Sequence, residues 1–358
     1  MKINGWHICF LSAWLPGILS GGSIGFLQTN LVSDGAVPAV TTDPDLKNPW
    51  GISFSPTSPF WIANNGTGLS TLYNGLGAKQ GLVVSMPPAG QTPTGTVFSA
   101  ISANFLGDRF LFATEAGTIA GWQGSAGTTA VTRVDLSFSG AAFKGLAIAG
   151  DHIYATDFAG GKVDVFDGNY SPVTLPGSFQ DPNLPAGFAP FGIQNIGGTI
   201  VVTFAKQGSG GDEQAGAGLG IVDVFDTNGS LVRRLISGGV LNAPWGLALA
   251  PATFGDLAGL ILVGNFGDGL INGFDPTTGA FVGSLSDSLG KPLVIDGLWG
   301  LAFGNGGTGF SSNKLYFTAG PNGEADGLFG SLEPVPEPST ALLLTVGLSL
   351  LFGTRRRR

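Results

Sequence analysis

The sequence is poor in the residues that build metal centres and covalent cross-links. Its one cysteine, Cys9, and one of its two histidines, His7, lie within the first 20 residues. If that segment is removed on export, the mature protein keeps no cysteine and a single histidine, His152. Disulfide frameworks, thiolate zinc sites and clustered-histidine metal sites are therefore excluded for the mature chain.

Positive charge is also scarce in the body of the chain. Only 11% of the 358 residues are charged, and residues 23–334 hold 11 basic and 23 acidic residues, a formal charge of −12. Binding to a nucleic acid requires basic patches that neutralise its phosphates. We therefore expect no nucleic-acid partner.

Glycine, proline and apolar residues are abundant instead. The 61 glycines and 22 prolines show neither the period of collagen nor a polar low-complexity bias. Residues of this kind mark turns between many short strands. The hydrophobic fraction of 43% supplies a large core, so the sequence predicts an ordered all-β chain.

The N-terminus has the order of a secretory signal peptide. Lys2 precedes the apolar stretch WHICFLSAWLPGIL, and the small residues SGGSIG follow it. We assign residues 1–22 to the signal and expect cleavage near Gly22 to Gly25. The alternative is an uncleaved membrane anchor, which the short stretch and its interruption by Pro16 disfavour.

The C-terminus carries a second targeting signal. A hydrophobic segment, Ala341 to Phe352, is predicted as a short helix, and the positive charges after it would hold that end on the cytoplasmic side of a membrane. Short motifs flank this segment: Pro336, Glu337 and Pro338 before it, and Arg355, Arg356, Arg357 and Arg358 after it. Residues 335–358 closely resemble the PEP-CTERM sorting signal of Gram-negative bacteria.

That resemblance implies a route for the protein. An exosortase-type enzyme would process the tail after export, in a host that typically makes exopolysaccharide. The chain would be membrane-anchored before processing and would then reach the cell surface or the extracellular matrix. The expected partners are the export machinery, the processing enzyme, and exopolysaccharide or surface proteins.

Between the two ends the chain repeats with a period near 50 residues. A glycine that opens an apolar run recurs at Gly51, Gly145, Gly192, Gly246 and Gly300. The first gap is twice as long as the second, so a further unit lies within it, in residues 96–137. Each unit reads as four short strands with turn glycines, which is typical of one propeller blade.

Six units are present, and the last one lacks a fourth strand. The segment FLQTNLVSD, Phe26 to Asp34, precedes the first unit and has the character of a strand. We predict that it forms the outer strand of the last blade and closes the ring, which removes an exposed sheet edge. Residues 23–334 are thus predicted as a six-bladed β-propeller with four-stranded blades. A pair of β-sandwiches and an open β-solenoid are the rival architectures.

The point in the repeat at which each blade begins resembles that of NHL and gluconolactonase-like six-bladed propellers. In addition, FLQTNLVSD and DPDLKNPWGISFSPTSPFWIANNGTGLSTLY resemble an uncharacterised family of exported bacterial proteins, many of which carry PEP-CTERM tails. This second resemblance covers residues 26–333. It implies the fold and brings no established activity.

The innermost strands of a propeller all start at one face, and the loop between the second and third strands of each blade returns there. The strand starts place Asn48, Trp50, Lys144, Asn242, Trp245, Asp296 and Trp299 on this face, and the loops add Asn64, Asn65, Glu115, Asp157, Asp212, Glu213, Asn265, Asp268, Asn322 and Glu324. Our ligand candidates are Asn48, Asn65, Glu115, Asp157, Asn242, Asn265, Asp268 and Asp296. We interpret the tryptophan rings as filling space at the channel mouth.

Two readings of these polar residues stay open. Carboxylate and amide oxygens suit a hard cation, so a Ca²⁺ ion in the channel is one hypothesis, although no cofactor is firmly implied. The other is that they only form tight turns, as NNGTG and PNGEADG would in any case. In the register of gluconolactonase-like enzymes the metal ligands would fall at Trp50, Lys144, Phe191, Trp245 and Trp299, which supply no oxygen, so lactonase chemistry is disfavoured.

Nothing else in the sequence defines a reaction. It has no nucleophile elbow, P-loop or paired-histidine motif, and His152 is expected to be structural or on the surface of the opposite face. The longest polar insertion, Lys206 to Gly218, is a candidate binding loop.

We therefore favour a displayed binding module with no enzymatic activity or only a weak one. The alternatives are a metal-assisted hydrolase or lactonase that uses Glu115, Asp157, Asp268 or Asp296, and a scaffold within an exopolysaccharide matrix.

Overall fold

Each predicted repeat folds as one antiparallel sheet, and the six sheets form a ring, which confirms the six-bladed propeller. The computed structural model of the protein describes residues 23–336. The predicted signal segment and the predicted C-terminal helix lie outside the described residues, so the predicted domain boundaries stay predictions. No helix within residues 23–336 is both long enough and apolar enough to cross a bilayer.

The strands follow the chain blade by blade. It starts with β1 (Ser23–Ser33) and β2 (Thr41–Thr42). Blade 1 contains β3 (Pro49–Ser53), β4 (Phe60–Asn64), β5 (Leu69–Tyr73) and β6 (Lys79–Ser85). Blade 2 contains β7 (Pro93–Phe98), β8 (Phe110–Thr114), β9 (Thr118–Trp122) and β10 (Val131–Asp135). Blade 3 contains β11 (Phe143–Ala149), β12 (His152–Asp157) and β13 (Lys162–Phe166).

The second half of the ring has the same order. Blade 4 contains β14 (Phe188–Ile196), β15 (Thr199–Gln207), β16 (Glu213–Gln214), β17 (Gly220–Phe225) and β18 (Leu231–Ser237). Blade 5 contains β19 (Pro244–Leu249), β20 (Ile261–Asn265), β21 (Ile271–Phe274) and β22 (Phe281–Ser284). Blade 6 contains β23 (Leu298–Phe303), β24 (Leu315–Ala319) and β25 (Leu328–Pro336). Short 3₁₀ turns lie at Phe105–Gly107, Gly124–Ala126, Ser137–Ser139 and Gly255–Leu257.

The first strand of the chain closes the ring, as predicted. Strand β1 pairs antiparallel with β25 and is the outer strand of blade 6, with Phe26 opposite Pro334 and Ser33 opposite Leu328. The short β2 adds to it in parallel. Because these pairs join the two ends of the described chain, the ring closes within residues 23–336.

Blade 3 differs from the prediction of four strands. It has three, and the segment that follows them makes only an isolated bridge between Phe166 and Pro172. The amide of Val173 still donates to the carbonyl of Val165 at 2.8 Å. Proline has no amide hydrogen to donate to a ladder, so Pro172 and Pro176 prevent a regular fourth strand here.

A glycine of each innermost strand packs against the backbone of the next one around the axis. These glycines are Gly51, Gly95, Gly145, Gly192, Gly246 and Gly300. A Cβ atom at Gly246 would lie 2.4 Å from the carbonyl oxygen of Trp299, and one at Gly300 would lie 2.5 Å from that of Trp50. The sequence pattern identified five of the six; it missed Gly95, which follows a threonine.

Aromatic side chains fill the space between neighbouring blades. The ring of Trp61 in blade 1 stacks on that of Phe110 in blade 2 with centroids 4.0 Å apart. Between blades 6 and 1, Phe60 contacts Tyr316 at 4.5 Å. Burial of such large apolar rings stabilises each interface between blades.

We predict that Gly246→Ala destabilises the propeller by about 1–3 kcal/mol, because the new methyl group would overlap the carbonyl of Trp299 and push two innermost strands apart. The matched control is Gly283→Ala in the outer strand of the same blade, where a Cβ atom would meet nothing within 4 Å. Chemical denaturation of both variants measures the difference. Equal stabilities would show that the contact at the axis does not limit the fold.

Candidate functional site at the channel mouth

The propeller presents two faces around its axis. We call the face where the innermost strands begin the N-face and the one where they end the C-face. The sequence analysis placed its polar candidates on the N-face. The structure puts them there through the starts of the innermost strands and the loops between second and third strands.

Just beneath the N-face, three tryptophans close the channel. The rings of Trp50 and Trp299 stack with centroids 3.5 Å apart, and Trp245 packs edge-on against both, at 6.0 and 5.7 Å. All three are buried. We call this group the tryptophan plug. It fits the interpretation that these rings fill space rather than offer a stacking surface to a ligand.

Above the plug lies a buried lysine. Lys144 occupies the position that holds tryptophan in three other blades, and its Nζ lies 5.2 Å from the centroid of the Trp50 ring. The ammonium is 2.6 Å from Glu115 Oε1, and its side chain is only 5% exposed. It also lies 3.3 Å from Asp212 and 4.0 Å from Glu213. The lysine thus draws carboxylates from two other blades to the axis.

These charges determine how Lys144 titrates. Burial alone would lower the pKa of Lys144, but the negative charges of Glu115 and Glu213 outweigh it, and the pKa lies above its ordinary value. The group is therefore a permanent cation in a carboxylate-rich setting. Its strong pairing leaves no basis for a role as a neutral nucleophile.

Two asparagines and a further glutamate extend the network. The amide of Asn65 donates to Glu115 Oε2 at 2.9 Å, and that of Asn48 donates to Glu324 Oε2 at 2.6 Å. Asn48 also accepts a hydrogen bond from the indole of Trp299 at 3.1 Å, which ties the network to the plug. We call the whole group the Lys144 cluster: Asn48, Asn65, Glu115, Lys144, Asp212, Glu213 and Glu324.

The polar insertion of blade 4 covers this cluster. Residues 206–218 fold back on themselves, because β16 pairs with the end of β15, with Glu213 opposite Gln207. This hairpin places Glu213 over the axis, where burial raises its pKa to about 7 despite the nearby charge of Lys144. Burial likewise raises the pKa of Glu324.

Two buried atoms at the cluster lack hydrogen-bond partners, and one of them, Glu213 Oε2, has only the ammonium of Lys144 at 4.0 Å. Within residues 23–336, Glu213 Oε2 accepts no hydrogen bond and Trp50 Nε1 donates none. A buried polar atom without a partner is costly, so such atoms call for an explanation. Both lie beside Lys144.

Three other candidates form a separate group on the N-face. Asn242 donates to Asp268 Oδ2 at 3.2 Å, and Asn265 donates to Asp268 Oδ1 at 3.1 Å. Asn242 also accepts from the amide of Gly216 at 2.6 Å. These bonds fix the loops of blade 5 and attach the blade 4 insertion to them.

The last two candidates each brace a turn. Asp157 accepts hydrogen bonds from the amides of Ala142 and Gly160, at 3.0 and 2.9 Å. Asp296 is exposed and accepts from the amide of Asn322 at 2.9 Å. The structure thus brings Asn48, Asn65 and Glu115 together and keeps the other five candidates apart from them.

The described residues do not fit the calcium hypothesis. Among residues 23–336, no group of three His, Cys, Asp or Glu side chains is arranged to hold a metal ion. In the Lys144 cluster the lysine ammonium already occupies the centre of the carboxylates. The four acids that a metal-assisted hydrolase would use, Glu115, Asp157, Asp268 and Asp296, lie in four different blades and do not converge.

Sequence reasoning placed Lys144 and Glu213 on the N-face but did not single them out. The available signal was that Lys144 replaces an aromatic residue at a position that faces the axis. A buried cation there demands carboxylate partners, and the acidic pair Asp212 and Glu213 stands in the one long insertion.

Fold and site together define a six-bladed β-propeller whose channel is closed by tryptophans near a charged N-face. Residues 334–358 match the PEP-CTERM protein-sorting motif. This match marks an exported protein that is sorted at its C-terminus by exosortase-type machinery.

The chain belongs to the family of the uncharacterised proteins R648 and L690 of Acanthamoeba polyphaga mimivirus. It is 37% identical to R648 over 322 residues, which cover 84% of this chain and 78% of that protein. It is 36% identical to L690 over 321 residues, which cover 84% of both chains. Neither relative brings an assigned activity.

Solved structures share the fold at low identity. A putative gluconolactonase matches 89% of this chain and 96% of its own with a TM-score of 0.53 and 15% identity. A protein of unknown function from Bacteroides thetaiotaomicron matches 88% of this chain and 75% of its own, with a TM-score of 0.55 and 10% identity. Identities this low establish the architecture alone.

The raised pKa of Glu213 predicts a pH-dependent stability. The folded protein favours the protonated form of the Glu213 carboxyl group. The contribution of this group to stability is therefore complete below pH 4.5 and is lost as the pH rises to about 7. This loss corresponds to about 3 kcal/mol between pH 4 and pH 8. Glutamine does not ionise, so between pH 4 and pH 8 the free energy of unfolding of Glu213→Gln should fall by about 3 kcal/mol less than that of wild type.

Urea unfolding at several pH values measures the effect. The matched control is Glu333→Gln, which removes a glutamate that pairs with Lys314 on the surface of blade 6. Asp223, whose pKa burial also raises to about 7, is present in all three proteins and cancels in the comparison. Superimposable pH profiles of wild type and Glu213→Gln would refute the buried setting of Glu213.

Proposed function

We propose that the protein is an exported, displayed binding module that holds a sugar unit of an exopolysaccharide at the Lys144 cluster. The observation that carries the proposal is the pair of buried atoms without a hydrogen bond, an acceptor on Glu213 and a donor on Trp50, beside one lysine. A hydroxyl group both donates and accepts hydrogen bonds. A polyhydroxylated ligand therefore supplies both missing partners from one molecule.

Charge and exposure at the site support the same class of ligand. The cluster contains four carboxylates and one lysine, so it repels acidic ligands and favours groups that donate hydrogen bonds. Asp212, with a side chain 79% exposed, and Glu115, with one 27% exposed, offer the first contacts to a ligand that arrives from solvent. The blade 4 insertion would have to move for the ligand to reach Glu213.

The C-terminal sorting motif supports a location outside the cell for this module. The PEP-CTERM tail supports display at the surface or in the extracellular matrix of a Gram-negative host that makes exopolysaccharide, after removal of a membrane anchor. Surface proteins of the host are the alternative partners, with the propeller acting as a scaffold.

The proposal involves no chemical step. Glu115 is held by Lys144 and Asn65, and the other acids of the hydrolase hypothesis brace separate turns. The arrangement therefore supports recognition better than hydrolysis.

We predict that Asp212→Asn and Glu115→Gln each weaken binding to purified exopolysaccharide by roughly tenfold, since each removes a charged hydrogen-bond acceptor. The control is Asp151→Asn, which changes an exposed aspartate on the C-face, with a side chain 64% exposed. Co-sedimentation with the polysaccharide gives the affinities. Equal losses in all three variants, or no binding by wild type, would contradict the site.

The same samples separate binding from catalysis. Release of reducing ends during the incubation would favour the hydrolase, and its loss in Glu115→Gln would assign the activity to this site. Unchanged polymer length together with saturable binding supports the binding module.

A further inference from the structure

A groove separates blades 4 and 5 on the C-face side of the ring. Its volume is about 350 Å³, and it lies between the turn that joins β14 to β15 and the adjoining ends of β19 and β20. Most of the residues that line it are aliphatic: Ile196, Val201, Val224, Leu235, Leu249 and Ile261. A cavity of this size with an apolar lining and few polar groups is typical of a small-molecule site. We call it the blade 4–5 groove.

The groove exists because blade 4 has a small residue where the other blades have larger ones. Val201 pairs with the second residue after the innermost glycine of its blade. The residues paired in the same way in the other five blades are Trp61, Leu111, Tyr154, Leu262 and Tyr316.

The interface between blades 1 and 2 shows the filled arrangement. There the ring of Trp61 stacks on that of Phe110 with centroids 4.0 Å apart. Between blades 4 and 5 the equivalent pair is Val201 and Ile261, which belong to one packed cluster. Two aliphatic side chains fill less space than two aromatic rings, and Leu249 beside them is 46% exposed. The groove therefore keeps an apolar surface that a ligand can cover.

One cation forms part of the lining. Arg233 in β18 continues a row that runs across three strands of blade 4, because Val224 pairs with Val201 on one side and with Arg233 on the other. Residues that pair in antiparallel strands project from the same face of the sheet, so the arginine stands beside the aliphatic residues. Its guanidinium donates to the carbonyl of Pro276 in blade 5 at 2.6 Å. The cation thus reaches from one blade to the other.

The positive charge of this arginine is not neutralised by the protein. Within residues 23–336, Arg233 makes no salt bridge and no side-chain hydrogen bond besides the one to Pro276. Asp275 precedes Pro276, but its carboxylate accepts hydrogen bonds from the amides of Thr277 and Thr278, at 2.9 and 2.7 Å. In a body with a formal charge of −12, an exposed guanidinium without an acidic partner is available to an anionic group.

We propose that the blade 4–5 groove binds a small organic anion, with an apolar body against Val201 and Ile261 and a carboxylate at Arg233. The hydroxyl of Thr199, another polar group of the lining, already donates to the carbonyl of Ile196 at 2.8 Å. The guanidinium is therefore the group that orients the ligand. The groove lies at the opposite face from the Lys144 cluster, so the proposal does not rest on the binding of exopolysaccharide.

The first test fills the groove. The full chain is titrated with anilinonaphthalene sulfonate, a fluorescent anion with an aromatic body, and wild type should bind it saturably. Val201→Tyr introduces the residue that blades 3 and 6 have at this position, and it should weaken binding at least tenfold. Thr199→Trp, at the half-buried rim, should have the same effect and keeps the test decisive if Val201→Tyr does not fold.

The matched control is Thr57→Trp, at an exposed position in the turn between β3 and β4. This is the turn of blade 1 that corresponds to the turn of Thr199 in blade 4, on the opposite side of the ring, so binding should be unchanged. The apolar tail of the full chain can also take up the probe. Only the component that Val201→Tyr or Thr199→Trp removes therefore counts, and the absence of such a component overturns the proposal.

A second arm examines the charge of the ligand by calorimetry with phenylbutyrate and phenylbutanol, which share their apolar body. Arg233→Gln should weaken binding of phenylbutyrate by roughly tenfold and leave that of phenylbutanol unchanged, because only the acid carries a charge. The matched control is Arg109→Gln in blade 2, which removes another arginine whose guanidinium donates only to a backbone carbonyl, that of Ala100, and should change neither affinity. Equal affinity of wild type for the acid and the alcohol overturns the assignment to an anion.

Discussion

The structure depends on a close backbone contact that is repeated six times around the axis. In each blade a glycine of the innermost strand meets the backbone of the next innermost strand at a distance that excludes any side chain. This contact sets the radius of the ring. The radius limits which side chains fit at the axis, because the residue before each glycine must fit into the small space that remains.

How that space is filled makes the two ends of the channel chemically different. Three tryptophans block it near the N-face, and the lysine of blade 3 stands above them with its carboxylates. Below them a cavity of about 400 Å³ opens at the C-face. A single chain thus presents a charged surface at one end of its axis and an open cavity at the other, with the three tryptophans between them.

Much of the fold could be predicted from local patterns, and the site only in part. The regular spacing of the glycines predicted the number of blades. The segment at Phe26 predicted the closing strand, because it has the character of a strand but belongs to none of the repeats. Which polar residues meet was harder to foresee. Asn65 and Asp268 occupy equivalent loops, yet one joins Lys144 and the other joins its own blade. The two loops differ because the buried Lys144 attracts carboxylates to one of them. The repeat of the sequence does not predict where such a lysine is buried.

The pairing of the first strand with the last ties folding to the order in which the chain is synthesised. Strand β1 leaves the ribosome first, but its partner β25 emerges only after the rest of the propeller. Until then blade 6 is incomplete and the two edges of the open ring have no partners. Ring closure therefore waits for the last strand of the described chain, and the closing pair reaches Pro336, inside residues 334–358, which match the sorting motif.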